Sequence, residues 1–218
     1  VRAAGVPYFI NWIGLGMAVP TLLECGTEAQ KETFLPPIFS AEHIWCQGFS
    51  EPGAGSDLAS LRTRAVDNGD NYVINGSKIW TSGAHQSQWC GAVVRTDPDA
   101  KKRNGISFIM LPMDQSGVDP QPIKLISGAS AFCETFFNDA IAEKSDLLGD
   151  LNDGWSVVKR LLQHERQSQI GAPGAGARSE QMQDIARRYI GLNGNGKLND
   201  IDLRQRLANH LMDRQAHS

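Results

Sequence analysis

The sequence lacks the features that mark several large classes of protein. Its four cysteines lie far apart and form neither a CxxC pair nor a Cys/His cluster, so the usual pattern of a structural zinc site is missing. No apolar run reaches the length of about 20 residues that a membrane-spanning helix needs. The net charge of −3 provides no electrostatic basis for nucleic-acid binding. We therefore expect free thiols in a reducing compartment, no membrane span and no nucleic-acid partner.

Changes in hydrophobic periodicity divide the chain into three predicted parts. Residues 1–42 have helical patterning, and residues 43–148 contain short strand-like runs separated by turn clusters. Helical patterning returns in residues 149–218. The predicted fold class is α+β, with a small antiparallel β-barrel or sandwich in the middle. Because both flanking parts are helical, the order of elements is α–β–α.

Capping signals place two helices within this plan. Thr27 is a suitable N-cap for a helix over residues 28–39, and the prolines at 36–37 mark its end or a kink. A second helix begins after a cap at residue 152 or 153 and runs to about Ile170.

The most informative segment is the turn at residues 48–57, Gly-Phe-Ser-Glu-Pro-Gly-Ala-Gly-Ser-Asp. Gly53 and Gly55 allow the backbone to approach another molecule closely. Ser50 and Ser56 bracket the turn, so hydroxyls and backbone N–H groups share one small region. Such a loop suits a phosphate or the polar edge of a planar cofactor, and an ordinary glycine-rich turn is the alternative.

A second motif, Asn-Gly-Ser-Lys-Ile-Trp-Thr-Ser-Gly-Ala at residues 75–84, follows the strand-like run 71–74. Asn-Gly between β-forming residues predicts a hairpin turn. The returning strand carries Trp80 and then the hydroxyls of Thr81 and Ser82. An indole beside small donors suits a flat heteroaromatic ring. The alternatives are a core position for Trp80 and a local backbone role for Ser82.

Taken together, these motifs resemble those of the acyl-CoA dehydrogenase family. The resemblance includes Gly-Thr-Glu-Ala-Gln-Lys at 26–31 before Leu-Pro at 35–36, and Gly-Trp at 154–155 before His-Glu-Arg at 164–166. It implies the end of an N-terminal helical domain, a middle β-domain and the start of a C-terminal helical domain. Members of the family are longer at both ends, so we expect this chain to be an internal segment.

The resemblance also implies that FAD binds between the β-domain and the C-terminal helices. Trp80 would pack on one face of the isoalloxazine ring, and Ser82 would donate a hydrogen bond near its N5 edge. Ser56 would lie near the cofactor phosphates or the acyl-CoA. The cofactor-binding residues implied in this way are Phe49, Ser50, Ser56, Trp80, Thr81 and Ser82.

The implied reaction needs a carboxylate base whose pKa is raised by burial. The family has two sequence positions for this glutamate, and the commoner one lies beyond Ser218. The other precedes an arginine on the first C-terminal helix, where Glu165 and Arg166 match it. Glu165 is either the catalytic base or a helix-surface acid paired with Arg160 or Gln169. Arg166 would be a charge close to the substrate.

The implied activity is the FAD-dependent α,β-dehydrogenation of an acyl-CoA thioester to trans-2-enoyl-CoA, with an electron-transfer flavoprotein as the expected acceptor. An acyl-CoA oxidase of the same fold and a non-catalytic subunit of a hetero-oligomeric dehydrogenase are the alternatives. The expected assembly is a homo- or hetero-oligomer in a bacterial cytoplasm or a mitochondrial matrix.

Two further expectations concern substrate and cofactor retention. The motifs look closer to those of bacterial members that handle branched, ring-bearing or dicarboxylic acyl groups. Residues 134–143 lack a proline and a valine that are usual in the family, which leaves the geometry of this junction open. We expect this segment alone to retain FAD weakly or not at all, because family members hold the adenine end partly with C-terminal helices and a neighbouring subunit.

Overall fold

The computed structural model describes residues 10–171 and 182–216. The chain divides into two compact units, Val1–Gly171 and Ala172–Ser218. In the first unit helices precede the strands and a helix follows them, which confirms the predicted α–β–α order. The predicted domain boundaries after residues 42 and 148 stay predictions.

The first elements in the described part of this unit are a π-helical turn (Gly14–Ala18) and the helices α1 (Val19–Cys25) and α2 (Glu28–Phe39). Eight strands follow, namely β1 (Trp45–Gly48), β2 (Arg64–Asp67), β3 (Asn71–Ser82), β4 (Trp89–Arg95), β5 (Ile106–Pro112), β6 (Val118–Ile123), β7 (Phe132–Glu143) and β8 (Leu147–Leu148). Helix α3 (Gly154–Gly171) completes this unit, and the second unit contains α4 (Met182–Ile190) and α5 (Ile201–Ala216).

Thr27 caps α2, as predicted. The Thr27 hydroxyl accepts a hydrogen bond of 3.2 Å from the Gln30 N–H, and Gln30 Oε1 accepts one of 3.0 Å from the Thr27 N–H. Gln30 Nε2 also donates to the carbonyls of Ser145 and Leu147, at 2.7 and 2.8 Å, which fastens α2 to the segment around β8. The helix continues through both prolines to Phe39, so they lie in its last turn.

All eight strands belong to one sheet, in the order β6-β7-β3-β2-β4-β5-β8, with β1 paired to β4. The predicted α+β class is confirmed, but the sheet is mixed rather than wholly antiparallel. The pairing of β1 with β4 is parallel, and so is the contact of β2 with β4 at Arg64 and Arg95. The pairings follow an open path through the described residues.

The predicted hairpin turn at residues 75–76 is wrong. Strand β3 runs straight through it, and its ladder with β7 shifts register at this point. Gly76 has a φ of 145°, so Asn-Gly forms a β-bulge within one long strand. The turn between β2 and β3 lies instead at residues 68–70. Because Asn-Gly suits both a hairpin turn and a bulge, the local signal does not separate them.

Strand β4 is buried on both faces, because its alternate residues enter two separate hydrophobic cores. Ala92 and Val94 pack into the interior of the β-region. Val93 belongs to the second core, which also contains Val158 and Leu161 of α3. These two residues are three positions apart, so they form an apolar stripe that places α3 in the same core as β4.

Three of the four cysteines, Cys46, Cys90 and Cys133, are buried, and all four are free, as expected. Within the described ranges, no helix has the length and apolar character needed to cross a bilayer. The same residues contain no group of three or more His, Cys, Asp or Glu side chains suited to a metal ion.

Candidate functional site

The glycine-rich turn and the second motif meet in the structure. The Ile79 N–H donates a hydrogen bond of 2.8 Å to the Ser50 carbonyl. Lys78 Nζ donates to the Phe49 carbonyl at 3.0 Å and to Glu51 Oε1 at 2.9 Å. The Lys78 side chain is 0% exposed and that of Glu51 is 9% exposed. A buried ion pair therefore holds the turn against β3.

Glu51 also closes the loop that follows the turn. Its carboxylate accepts hydrogen bonds from the Arg62 N–H at 2.7 Å and the Thr63 N–H at 2.9 Å. Burial raises the pKa of Glu51, but Lys78 and the hydrogen bonds outweigh it, and the pKa lies below its ordinary value. The pKa of Lys78 is lowered by burial, which the Glu51 carboxylate opposes.

These bonds give Glu51 a role in ordering the turn. The partnership with Lys78 was not expected, because a lysine in a strand-like run is usually solvated. A Cβ on Gly48 would lie 2.8 Å from the Cys90 Sγ and 3.4 Å from the Lys78 Cγ, so close packing beside the buried lysine stem leaves no room for a larger residue at position 48.

The space beside the turn is open. A Cβ built on Gly53 or Gly55 would meet no atom within 4 Å in the part of the chain described, and neither residue has a positive φ. Ser50 is half-buried and Ser56 is exposed at this surface. The fold itself therefore needs glycine at neither position, and the turn leaves free volume for a ligand to approach the backbone.

Trp80 is displayed outward by a second bulge in β3. The ladder with β7 shifts register between residues 78 and 81, and Trp80 has a φ of 63°. A left-handed conformation at a bulky residue costs about 1–2 kcal/mol and is typical of functional positions. The indole is 54% exposed and meets Phe132 edge-on at 6.0 Å between ring centroids. The alternative of a core position for Trp80 is excluded.

Thr81 points the other way and is 0% exposed. Its hydroxyl donates to the Cys133 carbonyl at 3.1 Å and accepts from the Thr135 hydroxyl at 3.0 Å. A hydroxyl in this position does not reach a ligand at the surface. Any cofactor contact from Thr81 would therefore use its backbone.

Ser82 lines a cavity of about 510 Å³. The cavity wall combines aromatic and aliphatic side chains with small polar ones, which is the composition expected of a site for an organic ligand. His85 lies on the same wall, with Nδ1 3.2 Å from the Cys133 Sγ. The lining includes Ile10, Trp12, Ile13, Ile44, Trp45, Ser82, His85, Ser87 and Phe132.

Glu165 is half-buried on α3 and Arg166 is exposed. Val158, Leu161 and Glu165 are spaced by three and four residues, so Glu165 lies on the core-facing side of the helix. Arg160 is one of the two residues expected to pair with Glu165 if Glu165 is not the base. Its Nε lies 3.8 Å from a carboxylate oxygen of Glu24 on α1.

His164, beside Glu165, approaches the same carboxylate. Its Nε2 lies 3.1 Å from the other oxygen of Glu24, so α1 and α3 meet at this cluster. The side chain of Gln169, the second alternative partner of Glu165, lies outside the described residues.

Comparison with known proteins agrees with this geometry. Residues 46–140 match the family model described as the acyl-CoA dehydrogenase middle domain. The acyl-CoA dehydrogenase IpdE1 of Mycobacterium tuberculosis is 45% identical over 163 residues, which are 75% of this chain and 42% of that protein. The chain belongs to the acyl-CoA dehydrogenase family.

Solved structures of acyl-CoA dehydrogenases share its fold. The structure titled Tcur3481-Tcur3483 steroid ACAD has a TM-score of 0.80 and 37% identity, and the match covers 99% of this chain and 54% of that one. The ChsE4-ChsE5 complex from Mycobacterium tuberculosis has a TM-score of 0.72 and 30% identity, with 95% and 53% covered. The chain thus spans about half the length of these relatives.

The residues at the site fit the FAD that this family implies. The hydroxyls of Ser50 and Ser82 and the indole N–H of Trp80 have no hydrogen-bond partner within residues 10–171 and 182–216. An exposed aromatic face, spare donors and open space beside the turn are the groups that a flat, polar-edged cofactor uses.

Proposed function

We propose that the protein containing this chain is an FAD-dependent acyl-CoA dehydrogenase that forms trans-2-enoyl-CoA from an acyl-CoA thioester. The observation that carries the proposal is the joining of the two motifs through Lys78 and Glu51, which puts the spare donors of the turn and of β3 in one region. The relative at 45% identity, named an acyl-CoA dehydrogenase, supports the same activity. When bound, FAD would supply the hydride acceptor, its N5 atom.

In this proposal the two motifs bind and orient the cofactor. The exposed indole of Trp80 stacks on the ring, and the Ser82 hydroxyl donates a hydrogen bond to its edge. The backbone of Phe49 and the hydroxyl of Ser50 contact the ring from the turn. The exposed Ser56 hydroxyl binds a phosphate of the cofactor or of the acyl-CoA.

Glu165 is the proposed base that removes the α-proton of the thioester. Glu165 is half-buried on the side of α3 that also carries Val158 and Leu161, where a carboxylate is partly shielded from water. Arg166 is the proposed positive charge near the substrate. The competing location for the base is the commoner of the two family positions, which lies outside this sequence.

The proposed substrate is a CoA thioester with a bulky, ring-bearing acyl group. Its support is the similarity, at 37% identity over 99% of the chain, to a structure titled a steroid ACAD. The proposed electron acceptor is an electron-transfer flavoprotein. The proposed assembly is a homo- or hetero-oligomer, since one similar structure is titled a complex of two differently named chains. A bacterial cytoplasm or a mitochondrial matrix is the proposed location.

Anaerobic bleaching of the flavin absorbance in the full-length protein tests the activity. The panel contains straight, branched, dicarboxylic and steroid-ring acyl-CoAs. We expect a ring-bearing thioester to bleach the flavin fastest. Full-length protein that binds FAD but is bleached by no acyl-CoA would be the non-catalytic subunit instead, and rapid reoxidation by oxygen with release of hydrogen peroxide would indicate an oxidase.

The variant Glu165→Gln tests the base, with Glu32→Gln as a matched control because Glu32 is an exposed carboxylate on α2. We expect Glu165→Gln to keep FAD and to bleach at least about 10³-fold more slowly than wild type. Bleaching at the rate of the control variant would place the base elsewhere in the full-length protein.

A further inference from the structure

Lys78 occupies an unusual position for a lysine. It is 0% exposed, and it lies two residues before Trp80 at the start of the second bulge of β3. Its ammonium group donates to the Phe49 carbonyl in one motif segment, while its own backbone belongs to the other. Both partners of this ion pair are deeply buried, with side-chain exposures of 0% for Lys78 and 9% for Glu51.

The other end of the bulge is also anchored. Thr81 is tied to β7 by its bonds to Cys133 and Thr135. Trp80 is therefore held in its left-handed conformation between two buried, hydrogen-bonded residues, Lys78 before it and Thr81 after it. A strained conformation persists only when its surroundings determine it in this way.

A buried ion pair is a poor device for stability alone. The cost of desolvating two charges offsets most of their attraction, and a hydrophobic pair of similar size is often as stable. The pair instead fixes the position of the lysine ammonium, because the Glu51 carboxylate is itself held by the N–H groups of Arg62 and Thr63. The position of the Lys78 ammonium thus depends on a carboxylate with two further fixed partners.

We propose that Lys78 and Glu51 are positioning residues that shape the flavin surface before any flavin binds. The pair sets the backbone of Phe49 and Ser50, and it fixes the start of the β3 bulge that displays Trp80. This inference rests on the proposed function, since it assigns the positioned groups to FAD. It predicts that the pair matters more for the geometry of this surface than for the free energy of unfolding.

The test uses the full-length protein with Lys78→Met, Glu51→Gln and the double variant. The double variant removes both charges and keeps one amide oxygen that accepts from either the Arg62 or the Thr63 N–H. Because it leaves no unpaired buried charge, it is expected to be more stable than either single variant. The control is Val94→Ala, a cavity in the β-region core. It destabilises the same unit at a residue that lies outside both motifs.

The first readout needs no flavin. We expect amide hydrogen exchange in the ligand-free double variant to rise about tenfold or more at residues 79–82 and 49–50, with little change in the rest of the sheet. In Val94→Ala we expect exchange to rise across the sheet instead. A double variant with exchange like wild type at residues 79–82 would overturn the positioning role, whatever the protein binds.

The second readout is the affinity of the ligand-free protein for FAD and the absorbance spectrum of the bound flavin. We expect the double variant to bind FAD at least about tenfold more weakly than Val94→Ala and to shift the flavin bands. If the double variant matched Val94→Ala in FAD affinity and in flavin spectrum, the pair would have only a structural role. If the wild-type protein binds no FAD, the proposed function fails, and the exchange experiment still decides whether the pair positions this surface.

Discussion

A Cβ on Gly76 would lie 2.7 Å from the Cα of Thr63. The first bulge of β3 thus packs directly against the residue whose N–H binds Glu51. The Thr63 hydroxyl also donates to the Ser77 carbonyl at 3.2 Å, beside the bulge. Position 76 therefore lies at the junction between the two motifs, where only glycine fits because Thr63 leaves no room for a side chain.

Gly76→Ala should destabilise the protein by about 2–4 kcal/mol, because it adds a backbone clash to a φ of 145°. Gly69→Ala is the control, since Gly69 has a φ of 100° but its Cβ position has no neighbour within 4 Å among the described residues. We expect it to cost about 1 kcal/mol. Urea unfolding measures both, and equal losses would show that the contact with Thr63 contributes nothing.

Gly53→Ala and Gly55→Ala, unlike Gly76→Ala, should lower ligand affinity and leave stability nearly unchanged. Both Cβ positions are open and neither residue has a positive φ, so we expect the free energy of unfolding to change by less than about 0.5 kcal/mol. Affinity for FAD or acyl-CoA in the full-length protein should fall about tenfold or more if the ligand approaches this backbone. Calorimetric titration measures it, and unchanged affinity for both ligands in both variants would remove the turn from the binding site.

Asn11 should be a large contributor to stability near the cavity wall. Its Nδ2 donates to the carbonyls of Ile38 and His43, at 3.1 and 2.9 Å, and its Oδ1 accepts from the Trp45 N–H at 3.0 Å. Asn11→Ala leaves these backbone groups without partners and should cost about 2–4 kcal/mol. The exposed Asn138→Ala is the control, with an expected cost below about 0.5 kcal/mol.

Thermal unfolding of both variants checks this prediction about Asn11. A loss as small as that of the control would mean that water replaces the three hydrogen bonds at no cost.

Asp146 should make stability depend on pH. It is 6% exposed, and burial raises its pKa to about 6, while the hydrogen bond from the Glu143 N–H lowers it and the Glu143 charge raises it. A folded-state pKa above the unfolded value of about 3.9 means that the folded protein binds this proton more tightly. The favourable contribution is complete below about pH 4 and is lost as the pH rises through about 6.

Asp146→Asn keeps an acceptor for the Glu143 N–H and removes the charge. It should therefore raise stability by about 1–3 kcal/mol at pH 8 and have little effect at pH 4. Melting temperatures across this range, with the exposed Asp70→Asn as the control, measure the difference. A gain that is the same at both pH values would show that the charge of Asp146 is not its source.

Much of the fold was predictable from local patterns. The cap at Thr27 and the apolar stripe of α3 depend on residues within one or two turns of each other, so the sequence carries them directly. The two motifs were also recognisable because their glycines, hydroxyls and tryptophan are unusual in combination. The orientation of Thr81 was not predictable, because it depends on a bulge in the pairing of β3 with β7.

By itself, the sequence determined the order of the helical and strand-rich parts, the helix capped by Thr27, and the two motifs that resemble the acyl-CoA dehydrogenase family. The tertiary structure decided that residues 75–76 form a bulge and that Trp80 faces outward while Thr81 faces inward. It also decided that Lys78 is buried against Glu51. The physical reason is that strand register and charge burial depend on partners distant in the chain, and no local pattern records that pairing.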